Sequence, residues 1–186
     1  MAVSPVAVSA EIRLPDWLTA MPLPPAPASD ETCMAFAVAA AAENVARGTG
    51  GPFGAVVRDD ASGEVIGVGV NLAVPSGNPV LHAETVAISL AGSRLEAAGG
   101  LTLFTSCEPC IMCLGAAHWA SIRRIVSAAS RKDAEAVGFS EGAGTPQLRS
   151  EMAARGVVFE DGLLREGSST VLRTYIDRGG VIYGPR

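Results

Sequence analysis

TSCEPCIMCLGAAHWA, residues 105–120, sets three cysteines at intervals of three in a chain that contains only four. The run Cys107-x2-Cys110-x2-Cys113 begins like an iron–sulfur motif, but the next ligand would fall at Ala117 and no later cysteine follows, which speaks against a cluster. Pro109 decides which cysteines work together. It disfavours helical geometry at Glu108 and is itself comfortable as a first helical residue, so a helix is expected to begin there. Cys110 and Cys113 then share one face of the first turn, where the positive helix end favours thiolates. Cys107 points elsewhere, at the end of a strand, and like Cys33 it reads as a small buried hydrophobe.

Two thiolates need further donors, and the chain has two histidines. His118 follows Cys113 by five residues, roughly 140° around the helix, and so faces away from a shared ligand. His82, in NPVLHAETVAIS (78–89), follows a turn signal and opens the next helix. Alone it would be an ordinary buried histidine; joined to Glu84 and to Pro109-Cys110-x2-Cys113 it completes H-x-E…P-C-x-x-C, the pattern of zinc-dependent base deaminases. One imidazole and two thiolates leave the fourth tetrahedral position open to water, as in a catalytic zinc and not a closed structural one. Zinc lowers the pKa of that water, and a carboxylate beside it can collect a proton and return it to departing ammonia; Glu84 has that chemistry and proximity. Without the zinc set, Glu84 would be only a solvated carboxylate at a helix start. Glu108 reads as a turn residue that accepts backbone N–H bonds.

The wider chain gives these residues a scaffold. At 186 residues, 48% hydrophobic and 18% charged, it can bury a core without staples. A formal net charge of −5 and no Lys/Arg run leave it without the electrostatic footprint of nucleic-acid binding. The first residues lack the pattern of a signal peptide and no apolar run is long enough to cross a bilayer, so a soluble, cytoplasmic protein with reduced thiols and no membrane partner is expected. Pro5, Pro15, Pro22, Pro24, Pro25 and Pro27 are six of the twelve prolines. Residues 1–29 therefore read as an N-terminal extension, in which PLPPAP (22–27), lacking amide donors for regular pairing, is expected to be extended or disordered. From Ser29 or Asp30 a helix runs to Gly48, with Met34, Val38, Ala41 and Val45 on one stripe. FGAVVRD (53–59) and EVIGVGV (64–70), split by a polar turn, signal a β-hairpin. Helix (81–97), strand (101–105), helix (110–120), strand (123–128), a short helix (132–137), helix (147–154), strand (157–160) and helix (168–177) follow. Their alternation predicts a three-layer α/β domain over 30–186.

GGPFGAVV (50–57), HAETVAI (82–88), TSCEPCIMCLGA (105–116), WASIRRIV (119–126) and DAEAVGF (133–139) together resemble the zinc-dependent cytidine and deoxycytidylate deaminase superfamily, and within it most resemble the guanine deaminase branch. Similarity runs from Gly50 to Phe139, about half of the chain. The resemblance implies a mixed five-stranded sheet with helices on both faces, a homodimer, and one zinc per subunit held by His82, Cys110 and Cys113, with Glu84 as proton shuttle. It further implies that Asn71 hydrogen-bonds the base, that Phe53 and Trp119 wall the pocket, and that the backbone N–H groups of Ala83 and Cys110 line the zinc–water site. Core packing explains Phe53 and Trp119 equally well, and a strand-end turn explains Asn71.

Two departures bear on the substrate. In guanine deaminases an acidic pair follows the Gly-Phe dipeptide, whereas here Ser140 and Glu141 follow Phe139. Such enzymes also end in a tail from about residue 165 whose terminal Tyr closes the pocket of its own or the partner chain; here Tyr183 is followed by Gly184, Pro185 and Arg186. Glu141 or Glu166 could supply a carboxylate lost at Ser140. The readings that stay open are a deaminase of a free base, guanine to xanthine foremost; a cytosine, cytidine or other amino-heterocycle deaminase; a tRNA adenosine deaminase, disfavoured by the acidic chain; and a non-catalytic zinc module.

Overall fold

The computed structural model describes residues 11–140, 142 and 145–184. The hairpin forms as β1 (Gly54–Asp59) and β2 (Val65–Val70), and β1 also pairs antiparallel with β3 (Leu101–Cys107). β4 (Arg124–Ala129) and β5 (Val158–Asp161) add in parallel, giving the order β2-β1-β3-β4-β5. Every residue of β3 is buried, as a central strand covered on both faces requires.

Alternation along β1 divides the core. Val56 packs with α2 (Asp30–Ala46) on one face, whereas Ala55 and Val57 pack with α4 (Ala83–Ala91), α6 (Ile111–Trp119) and α8 (Thr145–Ala154) on the other. α9 (Arg165–Asp177) joins α2 on the first face, through Val171, Leu172 and Tyr175. The result is a mixed five-stranded sheet with helices on both faces, the three-layer α/β arrangement that the resemblance implied. Ser29 caps α2, its hydroxyl accepting from the N–H of Thr32 at 3.2 Å.

Several boundaries move for local reasons. The helix expected over 81–97 starts after His82, its N-cap, and stops at Gly92, whose φ of 53° belongs to the left-handed region. The short turn α3 (Ala73–Ser76) precedes it, and the separate turn α5 (Arg94–Ala97) follows. α6 begins at Ile111 with Cys110 as its N-cap, not at Pro109, because the extended backbone of a cap is where the chain leaves β3.

β2 explains how α4 comes so close to the sheet. A Cβ on Gly67 would run into the carbonyl of Ala87, and one on Gly69 into that of Ala83 while lying 2.6 Å from the N of Ala87. Bare backbone on β2 is therefore what lets the start of α4 rest on the strand.

The N-terminal segment holds one element that the sequence reading did not place; residues 1–10 lie outside the described residues. Pro15 and Pro22 leave six residues between them, room for one turn, α1 (Asp16–Thr19). It presents Leu18, 1% exposed, to the core beside α2, while the indole N–H of Trp17 donates to Thr49 at 3.1 Å. Residues 11–15 and 20–29, the proline-rich run 22–27 among them, are without helix or strand. Leu18→Ala is expected to destabilise the protein by about 2–5 kcal/mol, read as a drop in the denaturant midpoint. An unchanged midpoint would mean that this segment does not share the cooperative core.

Candidate active site

Two helix N-termini meet at one end of the sheet. His82, extended at φ −72° and ψ 160°, caps α4, and Cys110, at φ −69° and ψ 170°, caps α6, with Cys113 in the first turn of α6. The Nδ1 of His82 lies 3.6 Å from Cys110 Sγ and 3.7 Å from Cys113 Sγ, and the two sulfurs are 3.5 Å apart. A tetrahedral zinc with bonds of about 2.3 Å to sulfur and 2.0–2.1 Å to nitrogen would hold such donors about 3.5–3.8 Å apart, so the set fits that ion in both spacing and chemistry. It is the one group of His, Cys, Asp and Glu donors with this geometry among the described residues. Cys110 is drawn down to about 4, first by its hydrogen bond with Cys113, whose thiol the same bond pushes up. The opposite directions describe one proton shared by the pair, not two independent thiols.

Glu84, in the first turn of α4, is 6% exposed. Its Oε1 accepts from the Thr105 hydroxyl at 3.1 Å, and its Oε2 from the Cys113 thiol at 3.3 Å. Burial, then the neighbouring Cys110 charge, push its carboxyl above the ordinary range. All these groups lie at or beside a cavity of about 600 Å³. Ala83 is fully buried at the first helical position, where an N–H has no carbonyl partner within the helix; Cys110, one residue before α6, is in the same position.

The loop that carries Cys110 is anchored from behind. Glu108 donates its backbone N–H to Ala129 at 2.8 Å, and its carboxylate accepts from the Arg131 N–H and from Arg149 Nη1, each at 3.0 Å. Arg149, on α8, also bonds Asp161 and lies over the Phe159 ring, 4.5 Å from its centroid. One short network thus links the ligand loop to β5, α8 and the start of α7 (Arg131–Ala136).

The substrate-side expectations separate. Phe53 lines the cavity and meets Phe139 edge-on at 5.0 Å. Tyr183 lines it too, edge-on to Phe139 at 5.2 Å and to His82 at 6.3 Å. Asn71 is fully buried, its Oδ1 accepting from the Ala73 N–H at 3.1 Å, and it does not line the open cavity. Its Nδ2 has no hydrogen-bond partner among the described residues. Trp119, expected as a pocket wall, is 88% exposed and does not line the cavity of this chain. It ends α6, and nine residues at about 1.5 Å each carry it some ~13 Å along the helix from Cys110. His118 is exposed beside it. Ser140 lines the cavity, Glu141 lies outside the described residues, and Glu166 sits away from the cavity, paired with Arg173. Sequence reasoning missed Thr105, Arg149 and the apolar rim of Val74, Pro79 and Val80. Their signals are weak: a polar residue in an otherwise buried strand, an arginine in a polar helix, and a loop without a motif.

The family model of the cytidine and deoxycytidylate deaminase zinc-binding region matches residues 27–129, more than half of the chain. The guanine deaminase of Bacillus subtilis (strain 168) is 44% identical over 113 residues, covering 60% of this chain and 71% of that one. A tRNA-specific adenosine deaminase of Haemophilus influenzae is 37% identical over 111 residues, 59% of this chain and 63% of that one. The solved guanine deaminase of Nitrosomonas europaea superposes with a TM-score of 0.82 at 35% identity, over 92% of this chain and 98% of that one.

Metal content checks the donor set: Cys110→Ser and Cys113→Ser should each lose zinc, while Cys107→Ser, whose sulfur bonds the Ser130 carbonyl instead, should keep it. Arg149→Ala is expected to weaken zinc retention against a competing chelator by about tenfold, since groups behind the ligands typically contribute 10–100-fold. Equal retention in wild type and variant would remove Arg149 from the support of the site.

Proposed function

Because the chain belongs to the cytidine and deoxycytidylate deaminase family, we propose that it is a zinc-dependent deaminase of a free base and that its substrate is guanine, converted by water to xanthine and ammonia. The observation that carries the reading is a zinc-compatible His-Cys-Cys set beside the buried carboxylate of Glu84 on a cavity of about 600 Å³. Similarity to two guanine deaminases selects the base among those the family handles. An acidic chain of net charge −5 favours a free base over an RNA hairpin.

His82, Cys110 and Cys113 hold the ion in this reading, which supplies Lewis acidity and brings a water molecule's pKa towards neutrality. Glu84 shuttles both protons of the attacking water in turn. The first goes to ring nitrogen N3, and the second to the departing 2-amino nitrogen, which leaves as ammonia while the C2 carbonyl forms. Thr105, donating to Oε1, holds the carboxylate in place for both transfers. The backbone N–H groups of Ala83 and Cys110 face the developing charge. Phe53 and Tyr183 wall the ring, and the unpaired Nδ2 of Asn71 is the donor that meets an acceptor of the seated base; a buried donor without a partner carries a cost that such a contact relieves.

The same reading includes a cytoplasmic homodimer. Free cysteines throughout and the absence, among the described residues, of a helix long and apolar enough to cross a membrane support the first part. Trp119, with 88% of its surface exposed, supports the second, since a large aromatic side chain is a costly group to leave in water.

Ser140 on the cavity wall favours a second, broader reading in which related amino-heterocycles such as cytosine, pterin or triazine analogues are also turned over. A neutral hydroxyl recognises a donor edge more weakly than a carboxylate does. Ammonia release against a panel of bases and nucleosides tests both. Glu84→Ala should retain zinc and fold while losing nearly all turnover; retained turnover would exclude it as the proton shuttle. Ser140→Asp should raise kcat/KM for guanine relative to the other bases by about fivefold, the equivalent of ~1 kcal/mol.

A further inference from the structure

The last described residues fold back onto their own chain. After α9, the Tyr175 hydroxyl donates to the Val181 carbonyl at 2.8 Å, the Gly180 N–H donates to the Tyr175 carbonyl at 2.9 Å, and Arg178 Nη1 donates to the Ala46 carbonyl at 3.1 Å. These bonds direct residues 181–184 towards the cavity, where the Tyr183 ring stands between Phe139 and His82. Its hydroxyl is buried beside Gly51.

Gly51 makes room for that hydroxyl. A Cβ on Gly51 would overlap Tyr183 Oη, and would lie 2.9 Å from its Cζ and 3.1 Å from Asn71 Oδ1. The backbone cannot drift to relieve this, because the Gly51 N–H donates to the Asn71 carbonyl at 3.2 Å and its carbonyl accepts from Asn44 Nδ2 at 2.9 Å. Backbone conformation does not demand glycine here, since the φ of Gly51 lies outside the left-handed region. Neighbouring Gly50 differs: a Cβ there would strike the backbone carbonyl of Asn71, so its need for glycine belongs to the fold.

We infer that Gly51 is a positioning residue whose missing side chain forms the socket for the Tyr183 hydroxyl, and that through Tyr183 it sets the affinity of the base site. The cavity keeps about 600 Å³ with Tyr183 seated, so the ring walls the site and does not fill it. The affinity part rests on the proposed deaminase activity; the socket itself does not.

The atom that obstructs a side chain at position 51 is the far end of the Tyr183 side chain and not backbone, so Gly51→Ala is relieved by expelling Tyr183, with the core and the zinc donors left in place. The test compares Gly51→Ala, Tyr183→Ala and the double variant. Gly51→Ala should keep its zinc content and melting temperature, speed hydrogen–deuterium exchange over residues 179–184 in the ligand-free protein, and raise KM for guanine about 3–10-fold with a smaller change in kcat, the range expected for an aromatic wall contact. In the Tyr183→Ala background the same substitution should add little, because what remains of its effect is the 3.1 Å approach to Asn71 Oδ1. Multiplicative effects, unchanged tail exchange, a lowered KM, or unfolding of Gly51→Ala would each overturn the inference. If the wild-type protein deaminates no base, the activity proposal fails by itself, and tail exchange with and without Gly51→Ala still decides whether the socket exists.

Discussion

The contact between α4 and β2 is the constraint on which the site depends. The strand presents Gly67 and Gly69 where the carbonyls of Ala87 and Ala83 come down on it, and Ala83 stands between His82 and Glu84. A side chain at position 69 would lift the helix start away from the sheet. The separations of 3.6 and 3.7 Å from His82 to the two sulfurs would open with it, although no residue with any chemistry of its own had changed. The two residues that lend the site an imidazole and a carboxylate are thus placed by two that contribute no side chain.

The other half of the donor set is placed by charge instead of by close packing. Pro109 and the extended cap at Cys110 turn the chain out of β3, and the Glu108 carboxylate then ties this turn to Arg131 and Arg149. Arg149 is partly shielded and stacked on Phe159, where a planar guanidinium serves two carboxylates at once better than a lysine would. One side of the site is therefore rigid because of backbone contact, and the other because of a bridged ion network. The two meet at the sulfurs.

Much of this was legible in the residues, for identifiable reasons. The order of elements follows from periodicity, and the donor set from the joint appearance of His82, Glu84, Pro109, Cys110 and Cys113, because coordination chemistry restricts residue type and spacing together. α1 was illegible because proline content argues about a whole segment, whereas one turn between Pro15 and Pro22 needs only Trp17 and Leu18 to find apolar neighbours. Trp119 shows that adjacency to a motif along a helix is not adjacency in space: in this chain the far end of α6 points to solvent. Arg149 and Thr105 act through partners 41 and 21 residues away, a relation that no local pattern records. Asn71 was visible as a polar strand end, but its buried Nδ2, without a hydrogen-bond partner among the described residues, is a property of packing alone.

The donors sit on opposite sides of the central strand in sequence: His82 comes before β3, and Cys110, 28 residues later, comes after it. An ion shared between them closes that loop as a removable cross-link, and because the unfolded chain has no preformed site, binding free energy becomes folding free energy. The stability of this protein is then not one number. It rises with the logarithm of free zinc once the ion exceeds its dissociation constant, so two preparations with the same sequence and different metal histories would unfold at different temperatures.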